Sequence, residues 1–397
     1  FYTMNKYIVS VICGCLFFVN GFSQNKNIEE LLNEIEQNNT ELKGYQSFIE
    51  SQQLENRSNN NLPDPQLSGF YLPFGDNETG DYTEYQLSQS FEFPTVYAAR
   101  GKWNESKSQQ LAAAYANKRL EVLLKAKNTL LELAFLQKRK AIETERKTQS
   151  RQVFEQIQKL FDAEQVGILD LNKAKIAWIQ EQFVVEQIES DIQILLSKLK
   201  TLNGGNVIDG VTSGIALPIE VGTVDNLWQE KLAKDPLLQE LKANETSSLQ
   251  KIKLEKNKLL PNVALGYNYQ GVSGSNYSGF YGGVSIPLWS SKNKVKAAEA
   301  NFEYQQSNTQ VVTTSLYTQF QETYNRYELI LEKFNEYQTT MSNLNSEQLL
   351  FKAYMLGEYS FMDYYVELQF YRNASDKMLQ MEKELQLLQV QLLKHQL

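Results

Sequence analysis

The chain is poor in the residues that build catalytic and metal centres. Its 397 residues include two cysteines, both near the N-terminus, and a single histidine, His395. Cys13 and Cys15 lie in a segment that predicts an export signal, so the mature chain is expected to lack cysteine, which excludes disulfides and thiolate sites. One histidine excludes a multi-histidine metal centre, and its place near a chain end, where fraying is expected, disfavours a serine–histidine–aspartate triad. We therefore expect neither an enzyme nor a bound cofactor.

Long hydrophobic runs are also missing. The longest apolar stretch, Ile8 to Val19, is too short to span a bilayer as a helix. It follows Lys6 and precedes small and polar residues, which predicts a signal peptide in the region of residues 1–24. Met4 is the expected start, and residues 1–3 are expected to be upstream carry-over. A lipid anchor is an alternative, because residues 12–15 resemble a lipoprotein cleavage box, although the apolar core continues past them. If the mature chain meets a membrane, strands must supply the contact.

Proline and glycine are scarce and unevenly distributed. Residues 95–217 and 288–397 contain none of the eight prolines, and the only glycines are Gly101 and Gly167 within 95–203 and Gly357 within 288–397. Two long tracts, each with one interior glycine, predict paired helices joined by tight turns, with Gly167 and Gly357 as left-handed turn residues. Each long helix, from the proline before the tract to its central glycine, would be roughly 105 Å long at about 1.5 Å per residue. Such helices need lateral partners.

The two tracts resemble each other. Apolar residues in both follow steps of three, four or seven, which is typical of coiled coils. The pattern LFxAxxxG at residues 160–167 returns at residues 350–357, an offset of 190. An offset near half the chain length predicts an internal two-fold repeat. We expect the first repeat over residues 25–203, a linker over 204–223 and the second repeat over 224–397.

The segment before each tract alternates between apolar and polar residues, the period of a β-strand. Strand pairs are predicted over about 65–93 and 262–288, each with a turn-rich loop between its strands. With about ten residues per strand and one aromatic face, these segments fit lipid-facing barrel strands. The alternative is soluble hairpins with one face on a helix. Candidate residues for a barrel lumen are Glu84, Gln86, Ser88, Glu92, Asn268 and Gln270.

Four strands impose a condition on assembly. They cannot close a membrane barrel, because the smallest such barrels have about eight strands. Open sheet edges cannot lie in lipid, where unpaired N–H and C=O groups would stay unsatisfied. If these strands enter the membrane, several subunits must therefore pool them.

These features together resemble the TolC-type outer-membrane efflux protein family. The repeat, the order of strand pair and long helix, and the two glycine-centred turns carry the resemblance over essentially all of the mature chain. The segment FEFPTVY at residues 91–97 looks like the strand-to-helix junction of branches associated with heavy-metal export. The resemblance implies a mainly α-helical fold with a transmembrane β portion. Long antiparallel coiled-coil helices would form a periplasmic tunnel, and a homotrimer would pool four strands per subunit into a 12-stranded β-barrel.

The resemblance also implies a function and partners. The chain would be a passive channel of the bacterial outer membrane, extending into the periplasm and meeting a periplasmic adaptor (membrane fusion protein) and an inner-membrane RND-type transporter. Heavy-metal cations are the favoured cargo, with drugs and other small molecules open. The formal charge of −8 disfavours nucleic acid and tends to favour cations in an enclosed lumen. The alternatives are an outer-membrane component of protein secretion and a soluble periplasmic coiled-coil scaffold.

Candidate entrance residues follow from the family by matching positions. A tyrosine and acidic residues narrow the closed periplasmic entrance in the family, and here they correspond to Tyr354 and Asp363 near the second turn and Asp170 near the first. The turns themselves, about 166–170 with Gly167 and about 356–363 with Gly357, would be the tips that contact the adaptor.

The sequence departs from the family pattern at this entrance. Tyr359 and Val366 occupy positions where relatives can carry charge, so an ionic lock of the best-known kind is not expected. The first turn also reads as shorter, because its glycine lies three residues before the acid instead of six. Local roles compete with the entrance role, since Asp170 could be a helix N-cap and Asp363 could complete a capping box with Ser360.

Overall fold

The fold is described here from a computed structural model. The predicted signal peptide and both cysteines lie outside the described residues, as do most of the linker and parts of three loops. The described residues are 27–73, 80–208, 221–272, 274–342 and 346–397.

The same order of elements occurs twice along the chain. Two short helices lead into a strand pair, which is followed by long helices joined by a turn. The first half contains α1 Ile28–Asn38, α2 Thr40–Ser58, β1 Gln66–Leu72, β2 Tyr82–Phe91, α3 Pro94–Asp162 and α4 Ile168–Leu202. The second half contains α5 Val224–Lys234, α6 Pro236–Asn257, β3 Asn262–Val272, β4 Ser275–Ser285, α7 Lys294–Met341, α8 Ser346–Met355 and α9 Phe361–Leu393.

Helix α3 spans most of the length of the fold. It begins at Pro94, whose fixed φ suits a first helical residue, and no further proline interrupts it. Its 69 residues correspond to about 104 Å. It packs along α4 and α6 and also contacts α1, α2 and α9. The lateral partners expected for so long a helix are therefore present.

Two larger apolar cores hold most of the helices together, and two smaller cores lie near the helix turns. One joins the first half of the chain and includes Ile35, Leu130, Leu133 and Leu199, each fully buried. The other joins α5, α7 and α9 and includes Tyr327, Phe334 and Leu385. Both follow the 3–4 spacing of apolar residues that the sequence shows.

The second long helix differs from its prediction. It begins at Lys294 and not directly after Pro287, because residues 288–293 form turns and Asn293 is left-handed, with φ of 65°. A left-handed asparagine cannot continue a right-handed helix backwards. Helix α7 therefore has 48 residues, about 72 Å, and α8 is a separate ten-residue helix. Residues 343–345 between them lie outside the described part of the chain.

The four predicted strands form one antiparallel sheet in the order β1-β2-β3-β4. Leu67, Leu87, Tyr267 and Phe280 stand opposite one another across all four strands, so these apolar side chains share one face. The adjacent row, which includes Gln86 and Asn268, lies on the other face. Within the chain β1 and β4 are edge strands.

The C-terminus is anchored and does not fray. Residues Lys394–Gln396 form a short 3₁₀ helix, and His395 is buried. Arg119 Nη1 donates to the carbonyl oxygen of Leu397 at 2.8 Å, and Leu397 packs against the first core. Burial lowers the pKa of His395, against the opposing effect of Glu230. The expected fraying of this end is therefore wrong.

Candidate functional site

One face of the sheet carries a connected set of polar side chains. Glu84 accepts hydrogen bonds from Asn268 Nδ2 at 3.0 Å and Gln270 Nε2 at 3.5 Å, and Gln86 Nε2 donates to the Tyr281 hydroxyl at 2.5 Å. Glu84 is the one charged residue in the four strands. Five of the six predicted lumen residues lie on this face, which we call the polar sheet face: Glu84, Gln86, Ser88, Asn268 and Gln270.

Glu92, the sixth predicted lumen residue, is not part of this face. Strand β2 ends at Phe91, so Glu92 lies beyond the ladder. Its carboxylate pairs with Arg100 of α3, and its backbone N–H donates to the Tyr97 hydroxyl at 3.1 Å. It therefore fixes the junction between strand and helix.

The opposite face of the sheet is apolar and open. Leu67, Leu87, Tyr267 and Phe280 are 77%, 50%, 40% and 91% exposed. A contiguous row of large apolar side chains is unfavourable in water and marks a surface meant for contact with another apolar phase. We call the side of the sheet that carries this row the apolar sheet face.

The first helix turn closes at Glu164 and not at Gly167. Glu164 is left-handed with φ of 57°, and its N–H donates to the carbonyl oxygen of Phe161 at 2.9 Å. Gly167 has φ of −84° and is the N-cap of α4, so its predicted left-handed role is wrong. Asp170 is the third residue of α4 and therefore not the N-cap, although a carboxylate there interacts favourably with the helix dipole.

The second turn closes at the predicted residue. Gly357 is left-handed with φ of 82°, and its N–H donates to the carbonyl oxygen of Tyr354 at 2.9 Å. Ser360 is the N-cap of α9, and its hydroxyl accepts from the Asp363 N–H at 3.2 Å. The same hydroxyl donates to Asp363 Oδ2 at 2.6 Å. The predicted capping partnership of the two residues is thus present, in a variant form.

The two turns are equivalent at an offset of 193 residues, not 190. With an offset of 193, the matching pairs are Glu164 with Gly357, Gly167 with Ser360, and Asp170 with Asp363. Both turns also close with the same pair of backbone hydrogen bonds, and each has five residues between its helices. The expected shorter first turn is therefore wrong. The LFxAxxxG match is displaced by about one helical turn.

Tyr354 lies in a buried aromatic stack near the second turn. Its ring centroid is 4.6 Å from that of Tyr364, and both residues pack with Val153 of α3 and Leu368 of α9. Burial raises the pKa of both tyrosines to about 12. Within a single chain the Tyr354 hydroxyl therefore stays neutral and enclosed.

The other residues at this end are exposed. Tyr359 is 42% exposed and Val366 61%. Asp363 is exposed as well, and so are Gly167 and Gly357. These positions are available to a partner.

A set of buried charges cannot be recognised from the sequence alone. Arg372 of α9 donates from Nη1 to Glu181 Oε1 of α4 at 2.5 Å. Arg146 of α3 donates to Asp376 Oδ1 of α9 at 2.8 Å. Both guanidinium groups also approach Glu347 of α8, at 3.8 and 3.5 Å.

These residues, with Glu143 of α3, form what we call the arginine cluster, which ties the two helix pairs together above their turns. Both arginine side chains are only 6% exposed. Burial lowers the pKa of Arg146, but its bond to Asp376 and the nearby carboxylates outweigh burial, so its pKa is raised. Burial raises the pKa of Glu181, although Arg372 opposes this. On a charged helix face, nothing in the sequence distinguishes these buried residues from exposed ones.

No group of three or more histidine, cysteine, aspartate or glutamate side chains in the described ranges is placed to hold a metal ion.

Across the parts of the chain with described coordinates, no helix combines the length and hydropathy needed to cross a bilayer.

Solved structures resemble this chain over nearly its whole length. The channel protein CusC has a TM-score of 0.75 at 14% identity, covering 93% of this chain and 91% of CusC. The CmeC outer membrane channel of Campylobacter jejuni has 0.76 at 16% identity, covering 93% and 85%. The open MtrE outer membrane channel of Neisseria gonorrhoeae has 0.70 at 12% identity, covering 93% and 88%. The chain has the fold of these channel proteins.

This fold confirms the mainly α-helical architecture with a four-stranded sheet that the sequence predicts. No family model and no curated protein matches the sequence, so the likeness lies in three-dimensional structure. In this outer-membrane-channel fold the sheet and the helix turns are far apart, because α3 leaves the sheet at Phe93 and reaches the first turn about 100 Å away.

Proposed function

We propose that the chain is one subunit of an outer-membrane channel in a tripartite efflux system, conducting substrate passively to the exterior. The observation that carries the proposal is the sheet. It has two open edges, one apolar face and one face that carries Glu84 and its polar neighbours, and it stands at one end of α3, which is about 104 Å long. A lipid-embedded wall around a polar lumen needs this division of faces. The shared fold with outer membrane channels supports the same conclusion.

The proposed assembly is a homotrimer, as the resemblance to the TolC-type family implies. Four strands with unpaired edges cannot stay in lipid, whereas three copies would supply 12 strands, which lies within the range of membrane barrels. The apolar sheet face would meet outer-membrane lipid, and the helices would extend the duct into the periplasm. There the turns near Gly167 and Gly357 would meet a periplasmic adaptor and, through it, an RND-type inner-membrane transporter that supplies the energy.

The polar sheet face would line the lumen and favour cations. Glu84 is the sole charged side chain of the strands, so three copies would place three carboxylates around one duct. Heavy-metal cations are the favoured cargo, supported by this acidic lumen and by the sequence of residues 91–97. Drugs and other small molecules fit a passive duct as well.

The entrance would lie at the turns. Asp170 and Asp363 occupy equivalent positions in the first turn of their helices, where Asp170 is partly exposed and Asp363 is exposed. Three copies would bring six such carboxylates to the periplasmic end. Tyr354 would act from the buried stack, by fixing the second turn, until the helix pairs separate.

Cell fractionation and conductance measurements test the proposal. The protein should require detergent for extraction from outer membranes, and should conduct cations in planar bilayers. Glu84→Gln should lower the cation-to-anion permeability ratio and Gln86→Glu, on the same face, should raise it. Glu303→Gln, on an exposed part of α7, is the matched control and should leave the cation-to-anion permeability ratio unchanged. Recovery as a soluble periplasmic monomer or dimer would instead identify a scaffold.

The cargo is tested separately in a deletion strain. Increased sensitivity to metal ions would support heavy-metal efflux, and increased sensitivity to drugs would support drug efflux. Normal resistance with an altered set of secreted proteins would overturn efflux in favour of protein secretion.

A further inference from the structure

The connection between β4 and α7 exposes apolar side chains next to lysines. Ile286, Leu288 and Trp289 are 63%, 67% and 81% exposed. Three exposed lysines follow within five residues, and none forms an ion pair with a described residue: Lys292, Lys294 and Lys296. We call residues 286–296 the β4–α7 junction.

The corresponding junction of the first repeat is closed on itself. There α3 starts directly at Pro94. Arg100 pairs with Glu92, and the Tyr97 hydroxyl accepts the neighbouring backbone N–H. The second repeat instead inserts six turn residues, 288–293, between its proline and its helix. The apolar and basic side chains of the β4–α7 junction are thus an addition to the shared plan.

The lysines do not stabilise α7. Lys294 and Lys296 lie in the first turn of α7, where positive charge opposes the helix dipole. This turn contains no acidic residue, and Asn293 makes no side-chain cap. The basic residues are therefore unfavourable for the local fold, and a partner outside the chain accounts for them better.

The position of the junction indicates what that partner is. Phe280 and Val284 lie on the apolar sheet face, and the exposed Ile286 and Leu288 follow directly after the end of this strand. A tryptophan at the end of a lipid-facing strand is typical of the membrane–water interface. Lysines just outside the apolar zone attract anionic headgroups.

We propose that the β4–α7 junction binds anionic phospholipid in the leaflet that faces the helices, with the lysines on the headgroup phosphate. This inference rests on the proposed outer-membrane location of the sheet. A phospholipid satisfies both halves of the junction at once. Its acyl region would cover Leu288 and Trp289, and its headgroup phosphate would offset part of the positive charge of the three lysines, which the chain itself leaves unpaired.

Native mass spectrometry of the full-length protein, delipidated in detergent, tests the proposal. The protein is titrated with phosphatidylglycerol and, separately, with phosphatidylcholine. Wild type should prefer phosphatidylglycerol, and the variant K292Q/K294Q/K296Q should lose this preference, on the order of fivefold in affinity for each lysine. The variant K175Q/K198Q/K200Q removes three exposed lysines from α4 and should bind like wild type.

Several results would overturn the proposal. These are an unchanged phosphatidylglycerol preference in K292Q/K294Q/K296Q, an equal loss in the α4 control, or displacement of the lipid by millimolar inorganic phosphate. Brominated lipid provides a second readout, through the difference in fluorescence quenching between wild type and Trp289→Phe in liposomes. Bromine near the headgroup should quench Trp289 most. Absence of quenching, as expected if a second copy covers the residue, would also contradict lipid binding.

Failure of this inference and failure of the proposed channel can be told apart. A detergent-extracted trimer that conducts ions but shows no lipid preference would contradict only the lipid site. A protein that is soluble without detergent would contradict the channel itself.

Discussion

The two helix turns share one backbone path but use different residues along it. At the left-handed position the first turn has Glu164 and the second has Gly357. At the N-cap the first has Gly167, without a side-chain hydrogen bond, and the second has Ser360, with one. A left-handed conformation costs a non-glycine residue roughly 1–2 kcal/mol, and a serine N-cap stabilises a helix by about 1 kcal/mol relative to alanine. The second turn is therefore locally the more stable of the two.

This difference shows how a repeated motif can keep its geometry while its residues change. The backbone hydrogen bonds that close the turn are the same in both copies. The first turn tolerates a poorer local sequence because tertiary contacts hold its helices. Phe361 of α9 packs against its Ile157–Leu171 core, and the arginine cluster joins both helix pairs. The following changes test this balance between local and tertiary stabilisation.

Removal of Arg372 should have the largest effect. Arg372→Ala leaves the partly buried Glu181 without its counter-charge, which should lower the free energy of unfolding by about 3 kcal/mol, the lower end of the range for a buried pair. Denaturant titration in detergent would measure this. Arg151→Ala, which breaks an exposed pair on α3, is the matched control, with an expected loss below about 1 kcal/mol. An equal loss in both variants would show that the cluster does not join the helix pairs.

Alkaline pH should weaken the second turn through its tyrosine stack. Tyr354 and Tyr364 have folded pKa values raised to about 12, whereas unfolded tyrosine ionises near pH 10. The unfolded state therefore loses protons first, and stability should fall as pH rises from about 10 to 12, by roughly 1–3 kcal/mol. Melting temperature against pH would measure this, and Tyr354→Phe should flatten the curve. A parallel curve for that variant would contradict the assignment.

Replacement of Gly357 and Gly167 by alanine should destabilise the two turns to different extents. Gly357→Ala forces a left-handed alanine and should cost about 1–2 kcal/mol of unfolding free energy. Gly167→Ala, with an ordinary φ, should cost about 1 kcal/mol less than that. A new Cβ at either position meets no atom within 4 Å, so sterics do not confuse the comparison. Glu164→Gly should stabilise the first turn, and a destabilised Glu164→Gly protein would contradict the strain at this residue.

Exchange of the N-cap residues should have the smallest effect. Ser360→Ala should cost about 1 kcal/mol, because the Asp363 N–H loses its acceptor. Gly167→Ser should gain only a few tenths of a kcal/mol, since glycine is itself a fair N-cap. Hydrogen exchange at the first amides of α4 and α9 would report both changes locally. Unchanged protection at Asp363 in Ser360→Ala would contradict the cap.

Periodicity was enough to predict the strands and the helix pairs. Alternation over residues 82–91 and 262–272 fixed both the strands and the face of Glu84, because side chains on a strand alternate strictly between two faces. The absence of proline after Pro94 predicted α3 with its correct start. These features depend on local sequence alone.

The misplaced features depend on single backbone conformations or on tertiary burial. The sequence does not show whether a glycine occupies a left-handed turn position or an N-cap, so the predicted left-handed role of Gly167 is wrong. The two copies of LFxAxxxG differ by about one helical turn in their position relative to the helix turns. A shift of that size keeps the apolar residues on the same helix face, so the sequence pattern does not show it and the backbone conformation does. In the sequence Arg146 and Arg372 look like surface charges, because their burial depends on the packing of α9 against α3 and on the ion pair between Arg372 and Glu181 of α4. His395 was misjudged because burial of a chain end depends on distant residues.

The pooling of strands is tested most directly by the native mass of the complex extracted from outer membranes in mild detergent. Three copies of the chain in one ion-conducting complex is the predicted result. A monomer of full channel activity, or a complex that assembles without detergent in the periplasm, would contradict the account, because a sheet of four strands would then have found another way to satisfy its edges.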